Sequence, residues 1–218
     1  MTAAVYPCLI SFEATQLLQL IWQPGRFMDP GWWQALDMSA WQYVYRQQPA
    51  ARAHIDRRLI EQRRSPTTPD GLGSVLPLRE AACTTLRLVP NLRRVALAYG
   101  LRAMGCPDYL WLGHYRRALS PWLDAWQCDR LLLTRRDWPG LATFSPEQLV
   151  DATLTAMAAS LDATPPSPFT DVNAACRAVR ILLPPGEPST HAELTPPPDL
   201  WARMAALEKM LCMSSTTR

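Results

Sequence analysis

The side chains in this sequence that can do acid–base, nucleophilic or metal chemistry are few and widely separated. Its three histidines fall at His54 in an arginine-rich stretch, at His114 in an apolar helical stretch, and at His191 in a proline-rich connector. A nucleophile and base would have to be His114 with Cys106 or Cys83, and the plainer reading of His114 is a partly buried imidazole satisfied by a neighbouring carbonyl. Zinc takes four Cys or His ligands in close pairs, and Cys106 with His114 has neither the spacing nor a second pair. Asp124 and Asp129 are not three or four residues apart and Asp137 falls in a loop, so all three read as surface acids, not as a hydrolytic carboxylate pair. Gly71-Leu72-Gly73 has no third glycine, no following Gly-Lys and no preceding strand, so it reads as a turn and not a phosphate loop. The expectation is a chain without catalytic residues, cofactor or metal, acting through shape and surface.

Two groups of residues carry that surface. Arg52, Arg57, Arg58, Arg63 and Arg64 populate one helical stretch whose apolar stripe, Ala51, Ile55 and Leu59, is narrow. Asp56 and Glu61 offset only part of the charge, so the stretch is either a solvated face or a docking surface for an acidic partner. Phosphate contact is the rival use of such arginines, but a net charge of +3 is too small to argue for nucleic acid. The second group is aromatic. Trp32, Trp33, Trp41, Tyr43 and Tyr45 either bury large area or present a sticky face, and Trp201 lies on a short amphipathic helix near the C-terminus.

The elements that must position these groups are helical. Ser11 caps a first helix carrying Leu17, Leu18 and Ile21, stopped at Pro24-Gly25. Asp29-Pro30 starts a second that runs to Gln48, with an alternative start at Ser39, and Pro49 opens the arginine-rich helix. Leu78, Ala82, Leu86 and Val89 mark a helix ended by Pro90. Leu92, Val95, Ala96, Tyr99 and Ala103 share one face of a central helix that Gly105 closes. Pro107 opens a helix carrying Tyr109, Leu112, Tyr115 and Leu119, and Ser120-Pro121 reads as the start of the next. Thr134 to Phe144 is a loop. Ser145, Pro146 and Gln148 form a capping box ahead of Val150, Leu154, Met157 and Leu161. Val172, Ala175, Val179 and Leu182 indicate a helix, with a strand at AVRILL as the alternative, and Trp201, Met204, Leu207 and Leu211 mark the last.

This pattern predicts an all-α fold of seven to nine helices. Residues 1–64 form an aromatic and arginine-rich helical segment packed on the rest, 65–75 a connector, 76–213 the main helical domain and 214–218 a frayed tail. The 218 residues, 48% of them hydrophobic and 19% charged, suffice for a sizeable core. Six cysteines without a CxxC pair or a secretory signal read as reduced thiols. Apolar runs are interrupted well before the roughly 18 residues of a membrane span.

GLGSVLPL leading directly into an apolar helix, the later CRAVRILLP, and the short C-terminal amphipathic helix resemble the SctK family of type III secretion, which includes YscK and PscK. The likeness runs from about Gly71 to the end and is weaker over the Trp-rich first third. It implies a non-enzymatic cytosolic adaptor of the sorting platform in a Gram-negative bacterium, held at the inner membrane through protein partners. Those implied partners are the cytoplasmic domain of the inner-membrane ring protein (SctD family) and the pod protein (SctQ family). The ATPase and its stator lie further in, and the adaptor is needed for effector export. Arg52, Arg57, Arg58, Arg63, Arg64 and Trp201 are the candidate partner contacts. A secretion chaperone or regulatory adaptor, and a helical nucleic-acid-binding protein, are the alternatives.

Overall fold

The computed structural model describes residues 11–63, 77–186 and 197–212, and among them every regular element is helical. Arg64, the 65–75 connector, the Gly71-Leu72-Gly73 turn, Cys8, His191 and the 214–218 tail lie outside the described residues.

Local chemistry accounts for the N-terminal elements. The Ser11 hydroxyl accepts the Ala14 N–H at 3.1 Å and starts α1 (Phe12–Trp22). Pro24 then ends α1 and at once opens the single turn α2 (Pro24–Phe27), where its missing N–H costs nothing. The segment after Asp29 is two helices, α3 (Gly31–Ala35) and α4 (Ser39–Gln47), so the alternative start at Ser39 is the one used. The break is a Schellman turn: Met38 N–H donates to the Trp33 carbonyl and Asp37 N–H to that of Gln34. Asp37 takes the left-handed position at φ 54°, a site where aspartate substitutes for the usual glycine. A 3₁₀ turn at Pro49–Ala51 leads into α5 (Arg52–Gln62).

The remaining elements are α6 (Glu80–Arg87), α7 (Leu92–Met104), α8 (Asp108–Trp111), α9 (Gly113–Leu119), α10 (Ala125–Leu133), α11 (Pro146–Asp162), α12 (Thr170–Arg180) and α13 (Leu200–Cys212). AVRILL therefore begins in helix, not strand. Helix α10 starts at Asp124 and not at Ser120. Asp124 accepts the Gln127 N–H at 2.7 Å while the Gln127 side chain accepts the Asp124 N–H at 3.1 Å, a reciprocal cap that Ser120-Pro121 does not form. Asp124 is thus a helix cap as well as a surface acid. The helix expected from Pro107 is interrupted at Leu112, whose extended backbone separates α8 from α9. At Ser145 the expected box is present, with the Ser145 N–H donating to the Gln148 side chain at 3.4 Å.

Helix α7 lies at the centre. Its predicted face is buried at Leu92, Val95 and Ala96, but Leu97, Ala98, Gly100 and Leu101 are buried as well, while Tyr99 and Ala103 lie at the margin. The reason is that α7 packs on both α11 and α13. A Cβ at Gly100 would sit 2.5 Å from Thr153 Cγ2, so a glycine here is what lets α11 approach. Gly105, at φ 70°, closes α7 as its sequence position implied. The loop after α10 is held from below: buried Tyr109 accepts the N–H groups of Thr143 and Phe144 at 2.7 and 3.0 Å, and Tyr115 donates to the Phe144 carbonyl.

One continuous hydrophobic cluster runs from Leu17 to Leu211 and joins the N-terminal helices to the rest. Polar contacts register that junction. Asp29 N–H donates to the Ile181 carbonyl, the Asp29 carboxylate pairs with Arg93 at 2.9 Å, and Trp32 Nε1 donates to the Leu183 carbonyl. Arg180, in the CRAVRILLP stretch, is buried to 7% exposure. Its Nε and Nη2 bind both oxygens of Asp162 at 2.9 and 2.8 Å, Nη1 donates to the Leu183 and Pro184 carbonyls, and the guanidinium stacks 5.4 Å from the Trp32 ring.

Candidate functional site

The arginine-rich helix α5 forms one wall of a groove of about 1230 Å³, opposite α4 and the end of α1 with α2. Its sides combine apolar and cationic groups. Ile21, Trp22, Met28, Trp33 and Ile60 supply the apolar surface, and Arg26, Arg46, Arg52 and Arg57 the charge, against Glu61 and Asp56. Helical spacing explains part of this: Gln42 and Arg46, and Ala53 and Arg57, are pairs four residues apart on facing helices.

Buried Asp56 is the polar centre of the groove. Its two oxygens accept the Gly25 N–H at 2.9 Å and the Tyr45 O–H at 3.1 Å, tying α2, α4 and α5 together. Burial raises the Asp56 pKa above the ordinary carboxylate value, against the pull of the Gly25 and Tyr45 hydrogen bonds and of Arg52. Burial, and then the Asp56 charge, raises Tyr45 as well, so the phenol keeps its proton and donates it.

The candidate arginines fall into distinct surroundings. Arg57 and Arg58 are exposed, and Arg58 faces Glu61 at 3.6 Å in a pair that contributes little in water. Arg52 braces the end of α4. Its Nε donates to the Tyr45 carbonyl at 3.0 Å, Nη2 reaches that of Arg46, and the guanidinium lies 5.7 Å from the Tyr45 ring. These bonds satisfy carbonyls that the helix itself leaves open. Arg63 leaves the group. It is half-buried 5.8 Å from the Trp32 ring, and desolvation, with the nearby Arg180 charge, lowers its pKa to about 10.

The aromatic cluster divides in the same way. Trp33 and Tyr45 are core, with ring centroids 5.5 Å apart, whereas Trp41 and Tyr43 are exposed. Sequence periodicity leaves both uses open because adjacent helical positions diverge by about 100°. It gives no sign of Arg26, Arg46 and Trp22, which come from elements with no arginine run of their own.

Trp201 lies in a second, separate groove of about 730 Å³, walled by Pro165, Pro166, Val172 and Cys176, with Arg180 and Asp162 also lining it. Burial pushes the Cys176 thiol up to about 11, so it is an unreactive wall group near neutral pH. Among the described residues the remaining histidines and thiols do not gather into one site. His114 is exposed, its ring 4.4 Å from that of Tyr115, while Cys106 is buried, and burial pushes Cys128 up to about 11. His54 is exposed on α5. Among the described residues no His, Cys, Asp and Glu side chains cluster as metal ligands, and no helix is long and apolar enough to cross a membrane.

Residues 15–185 match the model of a family described as a type III secretion system subunit. The match takes in the Trp-rich first third, which carried the weaker likeness in sequence, and stops short of α13. No curated protein and no solved structure matches. Since the family model covers most of the chain, including every element that builds the basic groove and its junction to the core, the protein belongs to this family of type III secretion system subunits.

Proposed function

We propose that this subunit is the SctK-type adaptor of the cytosolic sorting platform. It would link the cytoplasmic domain of the inner-membrane ring protein (SctD family) to the pod protein (SctQ family) and be required for effector export. On this reading it acts by binding and not by catalysis, needs no cofactor, contacts no nucleic acid, and sits in the cytoplasm at the inner membrane only through those partners. Membership of a secretion-subunit family supports the setting. The observation that carries the adaptor role is the presence of two grooves of different chemistry, one lined by Arg26, Arg46, Arg52 and Arg57 and one lined by prolines and Trp201. A bridging protein needs two dissimilar contact surfaces, and electrostatic complementarity at one of them fixes orientation. Exposed Arg57 and Arg58 serve the first contact, with Arg52 bracing its wall, and Trp201 the second. Arg63 contributes through the Trp32 junction, and Arg64 lies just past the described end of α5.

The test is capture of the tagged full chain from cells carrying the secretion apparatus. Both the ring protein and the pod protein should co-purify, and ring-to-pod capture should be lost when this chain is deleted. Capture of neither, or stoichiometric recovery of an exported substrate in their place, would refute the adaptor role, and the latter would favour a chaperone.

A further inference from the structure

We infer that the groove between α2, α4 and α5 takes an acidic polypeptide segment of a partner protein that carries an apolar anchor. The inference rests on the reading of this chain as a binding subunit and adds the chemistry of one ligand. Four arginines line the groove and all four are exposed, on three different elements. Two are held in place through their guanidinium groups: that of Arg26 lies 5.4 Å from the Phe27 ring, and that of Arg52 donates from Nε and Nη2 to the Tyr45 and Arg46 carbonyls, leaving Nη1 to face a ligand. Guanidinium groups fixed in this way lose less side-chain freedom on binding and present N–H forks to carboxylates.

The centre has the opposite requirement. Asp56 is buried there, and its Gly25 and Tyr45 donors are already engaged, so a carboxylate reaching it would meet a charge of its own sign with no free donor. The apolar part of the lining, exposed Trp22 with half-buried Ile21 and Ile60, therefore suits an apolar side chain, while acidic side chains stay with the arginines. An amphipathic acidic segment satisfies both demands. A uniformly anionic polymer satisfies only the second. The two charges opposing the four arginines are Asp56, compensated internally, and Glu61, which already faces Arg58.

The probe is a fluorescein-labelled helical peptide with glutamates on one face and leucines on the other, titrated into the full chain at physiological salt. One companion has glutamine for glutamate and another serine for leucine. The acidic amphipathic peptide should bind saturably, and each companion should bind about tenfold more weakly or worse. Arg26→Glu with Arg57→Glu should weaken it by about tenfold, while Arg117→Glu with Arg136→Glu, the same change in net charge at exposed positions outside the groove, should stay within about threefold. Circular dichroism identifies any variant that fails to fold, and Arg26→Gln with Arg57→Gln then takes its place. Absence of peptide binding, equal binding of either companion, or equal loss in the control pair overturns the inference. So does tighter binding, with the same arginine dependence, of labelled oligothymidylate or of phosphatidylglycerol vesicles. Ring-to-pod capture is scored separately. Intact bridging without peptide binding removes the groove inference alone, and peptide binding without bridging removes the adaptor reading alone.

Discussion

Arg180 and Arg57 show what tertiary surroundings do to one residue type. Arg180 is buried, grips both oxygens of Asp162, satisfies two carbonyls beyond α12 and stacks on Trp32, so its charge is consumed in joining the N-terminal helices to the main body. Arg57 is exposed on the wall of the basic groove. A guanidinium removed from water is tolerated only when its donors are all matched, and one left in water remains available to a partner. The first kind should govern stability and the second binding.

The sharpest way to break that division is Arg180→Ala. Asp162 remains about half exposed, which limits the penalty on the orphaned carboxylate, but the carbonyls and the Trp32 stack lose their partner. The expected loss is about 2–4 kcal/mol, read from the urea midpoint. A change under about 1 kcal/mol would mean that the hydrophobic cluster alone holds the junction.

Asp56 stands between the two cases, since it is buried but belongs to the groove. Its pKa is raised in the folded protein, so between the ordinary carboxylate value of about 3.9 and the raised value the native state binds more protons than the unfolded chain. Stability from this group is therefore full below the ordinary value and is lost as pH rises through the raised one. Asp56→Asn has no such titration, so wild type should lose ground relative to the variant as pH climbs from about 4 towards 7. A wild-type minus variant difference that is flat with pH would show that Tyr45 and Gly25 fully offset the burial.

The smallest effect belongs to the edge. Arg26→Glu with Arg57→Glu should change stability by no more than about 0.5 kcal/mol, because both side chains are exposed. Thermal unfolding of the double variant at matched salt measures this, and a large loss would place these arginines with Arg180.

Legibility in the sequence followed the range of the physics involved. The caps at Ser11 and Ser145, the left-handed Gly105 and the period of α11 and α12 depend on residues within one turn of each other, and each is present. The cap at Asp124 is equally local, an Asp-x-x-Gln box, but it is masked in the sequence by Ser120-Pro121, which offers a competing start four residues earlier. Asp37 hides a helix break because aspartate in a left-handed turn leaves no glycine to mark it. Of the candidate contacts, Arg57 and Arg58 are exposed, whereas Arg63 turns inward on Trp32 beside Arg180, and Trp201 belongs to a different groove. Those outcomes depend on neighbours supplied by other helices, distant in the chain.

By itself, the order of residues determined that this protein is helical, where most of its helices begin and end, and that its cationic side chains would gather near α5. Periodicity, capping and proline placement are local, so they act before any helix meets another. Which arginines would be sealed as braces and which left to meet a partner was decided only when α3 met α12 and α2 closed against α5. Desolvation of a charge depends on everything packed around it, and no local spacing encodes that.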